Sequence, residues 1–450
     1  MRSEKRIEKS MAHKLENFNK DLDALLEHIG DARYVLLGEA SHGTSEFYTW
    51  RAEIAKRLIA EKGFSFIAVE GDWPDCYRVN RYAKGMENSG FSAYEVLHAF
   101  SRWPTWMWAN REVVDLIEWL RSHNKVIEKE DKKVGFYGLD VYSLWESLDA
   151  VIQYLRKNYP DAMKSAIEAY RCFEPYGRDV QEYAKATAFI PESCEDDVAN
   201  MLLEIRRKAG DGENDDEGWF KADGREAHFN AEQNAVVAKN AELYYRTMMH
   251  GGAASWNVRD HHMMNTLERL MKFHGSDAKS IVWAHNTHIG DARATDMARA
   301  KMVNLGQLAR EQAGGDSVVL VGFGTYKGSV IASKEWGEPM ERMPVPSAIE
   351  GSWDSFLHSL NDNVGRNKLL TFDDIDKTET PLPSLFESKG QRAIGVVYNP
   401  SYEKHGNYVE TILPIRYDAF LFIDETHALH PLHMPVSPDK ELPETFPTGL

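Results

Sequence analysis

Short apolar runs recur along the chain, and each stops on a residue able to move a proton or hold a charge. They read YVLLGEASH (34 to 42), FIAVEGD (66 to 72), KVGFYGLD (133 to 140), SIVWAHNTH (280 to 288), VVLVGFGTY (318 to 326) and FLFID (420 to 424). Continuous apolar runs separated by longer helix-like stretches are the pattern of parallel strands covered by helices on both faces. In such sheets the ligand crevice lies outside the carboxyl ends of the strands. The pattern therefore directs Glu39, His42, Glu70, Asp140, His285, His288 and Asp424 towards one crevice.

Between the runs the period changes to that of helices. Residues 10 to 29 place Leu15, Phe18, Leu22, Leu25, Leu26 and Ile29 at helical spacing, with Gly30 as the stop. After the first strand, Thr44 or Ser45 can cap a helix with Phe47, Trp50, Ile54 and Leu58 on one face. Glu53 and Arg57 would form an i, i+4 pair on it, and Gly63 would end it. From about 143 to 270 long amphipathic helices run without strands, interrupted by an acidic, Gly-rich segment at 208 to 224 that reads as a solvated loop. Strand-like runs resume at 280 and include 368 to 373 and 393 to 398. Loops are expected at 327 to 350 and 374 to 391, and an extended tail after His430. The expected fold is α/β: a mostly parallel central sheet flanked by helices, one catalytic domain over 1 to 450, with a helical insertion or lid at about 143 to 270.

Composition narrows the class. A hydrophobic share of 43% with 27% charged residues suits a soluble globular chain. Lys+Arg 53 against Asp+Glu 70 gives −17, which disfavours nucleic acid and anionic membrane as partners, because both require clustered positive charge. Cys76, Cys172 and Cys194 show no paired framework, so free thiols in a reducing compartment are expected. With no apolar leader and no long apolar run, the expected location is cytoplasmic.

Four blocks carry chemistry. GEASHGTSEF offers Glu39, Ser41 and His42 within four positions, and imidazole is the side chain that accepts a proton near neutrality. Glu39 or Glu70 could orient that ring; alternatively, Glu39 and Ser41 only cap a helix. WAHNTHIGD supplies His285 and His288, an HxxH pair suited to metal ligation, oxyanion stabilisation or a structural polar network. Arg259, on the helix SWNVRDHHMMNTLERLMKF, could stabilise developing negative charge, although a helical guanidinium is more often a surface ion pair. The block FSRWPTWMWANREVVDLIEWL concentrates tryptophans, of which Trp106 and Trp108 could wall a bulky apolar ligand. GxSxG, GxxxxGK[ST], HExxH and GxGxxG are all missing, which disfavours the common hydrolase, P-loop, zincin and dinucleotide readings.

Taken together, GEASHGTSEF, VEGDW with RVNRY, the WMW block, Arg259 with Asp260, WAHNTHIGD and FLFIDET resemble the erythromycin esterase family, in the family's order over roughly residues 30 to 430. The resemblance implies a metal-independent hydrolase that opens a lactone ring with histidine-activated water and needs no cofactor. By motif, His42 is then the general base, Glu39, Glu70 and His285 form the surrounding site, and Arg259 and His288 support it. Arg51, Arg78, Arg81 and Arg259 are candidates for contacting a small-molecule ester substrate, with Asp140, Trp106 and Trp108 beside it. Two rivals stand: the same histidines and carboxylates hold a catalytic metal, or the protein binds a bulky, haem-like ligand without catalysis.

Overall fold

The structure, a computed structural model, describes residues 12 to 177, 179 to 187, 193 to 212, 222 to 249, 252 to 360, 365 to 372 and 383 to 433. The acidic segment from 213 to 221, the first half of the loop expected at 374 to 391 (residues 374 to 382) and the tail beyond 433 lie outside the described residues. The strands are β1 (Ala12–Lys14), β2 (Tyr34–Leu37), β3 (Phe66–Asp72), β4 (Gly135–Asp140), β5 (Ser280–Trp283) and β6 (Val318–Ala332). They continue as β7 (Glu341–Val345), β8 (Lys368–Thr371), β9 (Lys389–Arg392), β10 (Tyr408–Thr411) and β11 (Ala419–Thr426). Nine of them form one sheet in the order β1-β8-β11-β6-β2-β5-β3-β4, with β7 on the extended end of β6. From β11 to β4 every neighbour is parallel, whereas β8 runs antiparallel to β11 and to β1.

Alternation along the parallel strands divides two cores. Val35, Leu37, Ile67, Val69, Ile281 and Trp283 enter one face, while Leu36, Phe66, Ala68 and Val282 enter the other. Burial on both faces is what makes these runs continuously apolar. Register then sets the site: Leu37 pairs with Trp283, and Val69 pairs with Trp283 and Gly138. β2 and β5 end at this height, at Leu37 and Trp283, while β3 and β4 run on to Asp72 and Asp140. A shift in the β3 and β4 ladder after Val69 places Asp72 opposite Asp140.

The region expected as an insertion divides in two. Helices between Leu144 and Met248 share a core of their own, with Trp145, Leu148, Phe173, Tyr183 and Tyr244. The helix Ala254–His274 instead buries Met263, Leu267 and Leu270 in the core of the main sheet. Cys172 and Cys194 form a disulfide inside this helical region, with Cα atoms 5.8 Å apart, so only Cys76 is a free, buried thiol. The free-thiol expectation fails because spacing along the chain does not reveal which helices meet. No helix among the described residues is long and apolar enough to cross a membrane.

Other local expectations change for tertiary reasons. The helix expected over 10 to 29 begins only at Phe18, because Ala12–Lys14 adds a strand to the β8 edge, Ala12 opposite Leu370. On the helix Ser45–Lys62, Arg57 pairs with Glu61 and Asp23, and Glu53 with Lys56. Part of the 327 to 350 loop is a hairpin between β6 and β7. Residues 393 to 398 leave β9 as irregular chain held by isolated bridges such as Ser41 with Ile394.

Candidate active site

The loop after β2 is pinned from several sides. Gly43 lies against the backbone of Ile331, where a Cβ has no room, and its carbonyl accepts from the N–H groups of Ile331 and Leu429 at 3.0 and 2.9 Å. Thr44, at the N-cap of the helix Ser45–Lys62, makes no side-chain cap bond, since its hydroxyl meets Ser41 instead. Glu39 caps nothing: its Oε1 lies 2.8 Å from His42 Nδ1, and its Oε2 accepts from Arg51 Nη2 at 2.7 Å. The Arg51 guanidinium, wholly buried, sits over the rings of Tyr48 and Trp283. The Tyr48 hydroxyl donates to the His42 carbonyl at 3.1 Å. His42 is thereby held at backbone and ring alike.

A second cluster meets it from β3, β4 and the helix Ala254–His274. Arg259 donates from Nε to Asp140 Oδ1 at 2.9 Å and from Nη2 to Asp140 Oδ2 and Glu70 Oε1, both at 2.7 Å. Its Nη1 lies 3.1 Å from His288 Nε2. Asp260 holds the other His288 nitrogen at 3.0 Å, and Trp256 stacks on that ring. Glu70 also accepts the backbone N–H of His285 at 2.8 Å. Burial alone would raise the Glu70 pKa, but the charges of His288, Arg259 and His42 outweigh it and hold this carboxyl far below the usual range.

His285 packs beside His42, ring centroids 4.9 Å apart. The Thr287 backbone N–H donates to its Nδ1 at 3.3 Å, which leaves the proton on Nε2, a buried atom with no partner. Burial, reinforced by the charge of His42, pushes the His285 pKa well down, so this ring is neutral. For His42 burial also pulls downward, yet the charge of Glu70 and the hydrogen bond to Glu39 exceed it, and the net shift is upward. Two histidines in contact are thus driven apart, one towards charge and one away from it.

These groups open onto a cavity of about 670 Å³, including its open mouth, lined among others by His42, Glu70, Asp140 and Arg259. Its apolar wall comprises Phe100, Trp103, Met107, Trp108, Tyr142 and Trp336. Of the sequence candidates, Trp108 lines the cavity and donates to the Glu70 carbonyl at 3.0 Å. Trp106 sits behind it, packed edge-on against Trp103. Arg51, Glu39, His285 and His288 stand behind the lining. Asp424 does not reach the cavity: it pairs with His358 at 2.6 Å, because β11 lies beyond β6 and away from β3 and β4. Arg78 pairs with Asp75, and Arg81 donates to the Glu87 carbonyl. Among the described residues, none from 144 to 258 lines the cavity.

Several participants escaped the sequence reading. Asp72, Arg102, Tyr142 and Trp336 line the cavity, and Asp260 orients His288. Asp72 had a signal, since it lies two residues after Glu70, the spacing that returns a side chain to the same face of a strand. Trp336 and Arg102 had none. Among the described residues no group of three or more His, Cys, Asp or Glu side chains could hold a metal ion. The Arg259 guanidinium already occupies the position between the Glu70 and Asp140 carboxylates.

Fold and site together define an α/β protein with a histidine, carboxylate and arginine cluster buried at the carboxyl edge of a parallel sheet. The chain belongs to the erythromycin esterase family, whose model matches residues 59 to 426, a span that starts after the Glu39 to His42 loop. It is 22% identical to erythromycin esterase type II of Escherichia coli over 384 residues, 78% of this chain and 83% of that protein. Among solved structures it resembles a succinoglycan biosynthesis protein (TM-score 0.71, 22% identity, 95% of this chain and 97% of the other). It also resembles a Bacillus cereus protein (TM-score 0.71, 20% identity, 94% and 97%). A histidine-to-asparagine mutant of the erythromycin esterase EreC, in its open conformation, aligns with TM-score 0.59 and 16% identity over 92% and 98% of the two chains.

Proposed function

We propose that the protein hydrolyses an ester or lactone of a bulky, largely apolar small molecule, by attack of water activated by His42 and without a metal ion. The observation that carries the reading is the 2.8 Å contact of His42 Nδ1 with Glu39 Oε1, on a ring that also lines the cavity. With Nδ1–H given to Glu39, Nε2 is left to take a proton from water as the oxygen attacks the carbonyl carbon. Glu39 and Glu70 stabilise the imidazolium that results. Negative charge growing on the carbonyl oxygen meets the guanidinium of Arg259, while His285 packs behind the lining against the His42 ring. Arg259 supplies there the fixed positive charge that a metal would bring in the rival scheme. Arg51 acts as a positioning residue through Glu39. Trp103, Trp108, Trp336 and Tyr142 provide an apolar surface for substrate, and the names of the relatives suggest macrolides as the first compounds to test.

The test is a mass-spectrometric screen of macrolides and simpler esters with wild type and His42→Ala. A gain of one water by a substrate, lost by a factor of about 10² to 10⁴ in the variant while circular dichroism is unchanged, supports the role. Turnover retained within a few-fold by His42→Ala, or abolished by a chelator, would sink it.

A further inference from the structure

Of the cavity-wall carboxyls that the scheme above does not use, Asp75 is paired with Arg78 and Asp140 with Arg259, which leaves Asp72. Asp72 ends β3 and occupies the N-cap of the helix Trp73–Lys84, a position where an Asp side chain ordinarily accepts a backbone N–H. Here the side chain makes no cap bond. It turns to the cavity that also contains His42, Glu70 and Arg259. Its Oδ1 is buried without a hydrogen-bond partner, and its Oδ2 has the Arg102 guanidinium at 3.3 Å. A helix-capping residue that leaves its cap empty and one oxygen unpartnered inside a reaction cavity is placed for proton transfer.

We propose that Asp72 is the general acid that protonates the departing alcohol oxygen, a role that rests on the esterase reading and completes it. Asp75 of the same helix, Asp140 of β4 and Glu146 of the next helix face it with negative charge, against Arg102. Burial first, and then these carboxylates, push its pKa to about 7, so the proton is present in a large fraction of molecules at neutral pH. The step balances as follows. Water gives one proton to His42 while its oxygen bonds to the acyl carbon. The bond from that carbon to the alcohol oxygen then breaks, the electron pair stays on the alcohol oxygen, and the Asp72 proton joins it. Asp72 regains a proton from solvent and His42 releases one, so the net change is one water consumed and one acid and one alcohol formed.

The test compares two esters of one acyl group, ethyl butyrate and p-nitrophenyl butyrate, with wild type and Asp72→Asn. An alkoxide needs a proton to leave, whereas p-nitrophenolate does not. Asp72→Asn should lower kcat on the ethyl ester by about 10² or more and on the p-nitrophenyl ester by less than about threefold. Because the Asp72 side chain makes no cap bond and Asn matches it in size and shape, the fold should persist. Asp72→Glu, which keeps a carboxyl, should recover part of the ethyl ester rate. Equal losses on both esters, or no loss on the ethyl ester, overturn the assignment while leaving the esterase reading intact. Failure of wild type on both esters and on the macrolide panel removes the esterase reading and the donor role with it.

Discussion

Arg259 grips Asp140 as a fork, Nε on one carboxylate oxygen at 2.9 Å and Nη2 on the other at 2.7 Å, while the same Nη2 reaches Glu70. The helix Ala254–His274 is thereby tied to the ends of β3 and β4 within the cavity wall. Breaking such a buried pair by removing one partner leaves uncompensated charge and typically costs ~3 to 5 kcal/mol. Arg259→Met should lower stability by that order in urea titration. Arg259→Lys should recover only part of it, since a point ammonium cannot reproduce the fork. A variant as stable as wild type would show that the cluster relaxes without its cation.

Glu39 raises the pKa of His42, so its removal has a predictable sign. A base works in its neutral form, and the rate therefore climbs as pH passes upward through the His42 pKa, which lies above the ordinary value near 6.5. Glu39→Gln should move this acid limb to lower pH and reduce the plateau kcat, by roughly tenfold or more if orientation matters as it does for other histidine bases. An unmoved limb in the pH profile would separate Glu39 from His42.

Asp72 predicts a limb on the alkaline side. On an alkyl ester the wild-type rate should fall as pH rises through about 7, where this carboxyl loses its proton. On the p-nitrophenyl ester of the same acid the fall should vanish, since that leaving group needs no donor. Superimposable profiles for the two esters would contradict the assignment.

His262, buried against the Asp140 carbonyl, is held neutral with its pKa pushed down by burial to about 4. A depressed folded value means that stability is full above the unfolded pKa near 6.5 and is lost as pH falls towards 4. The unfolded chain takes up a proton that the folded chain refuses, at up to ~1.4 kcal/mol per pH unit. Thermal unfolding should show Tm falling over that window, and His262→Gln should flatten the slope. An unchanged slope would assign the acid sensitivity to other groups.

The Cys172 to Cys194 bridge closes 22 residues within the helical region. Cys172→Ser with Cys194→Ser should cost about 2 to 4 kcal/mol in that region. Because none of the described residues from 144 to 258 lines the cavity, kcat should stay within a few-fold of wild type. A large loss of kcat with stability intact would couple the helical region directly to the site.

How much could be read in advance depended on whether the physics was local. Two-sided burial writes itself into continuous apolar runs, so the strands from 34 to 37, 66 to 72, 135 to 140 and 280 to 283 were legible, and with them the convergence of Glu39, His42, Glu70, Asp140 and His285. The edges were not. Ala12–Lys14 is extended only because β8 offers unpaired backbone, and the hairpin of β6 with β7 forms for the same reason. Read from its helix alone Arg259 suited a surface ion pair, and only the family resemblance assigned it to the site, because nothing local records the two strand-end carboxylates it meets.

What the order of residues determined by itself was a parallel α/β framework whose strand ends carry acid, base and charge. Tertiary structure alone decided which of them meet: register aligned Leu37, Trp283 and Val69 so that His42 and His285 touch, while the position of β11 beyond β6 took Asp424 to His358 instead. The reason is that alternation and apolar continuity are properties of one segment, whereas hydrogen-bond partners, desolvation and the pKa values they set belong to groups brought together from distant parts of the chain.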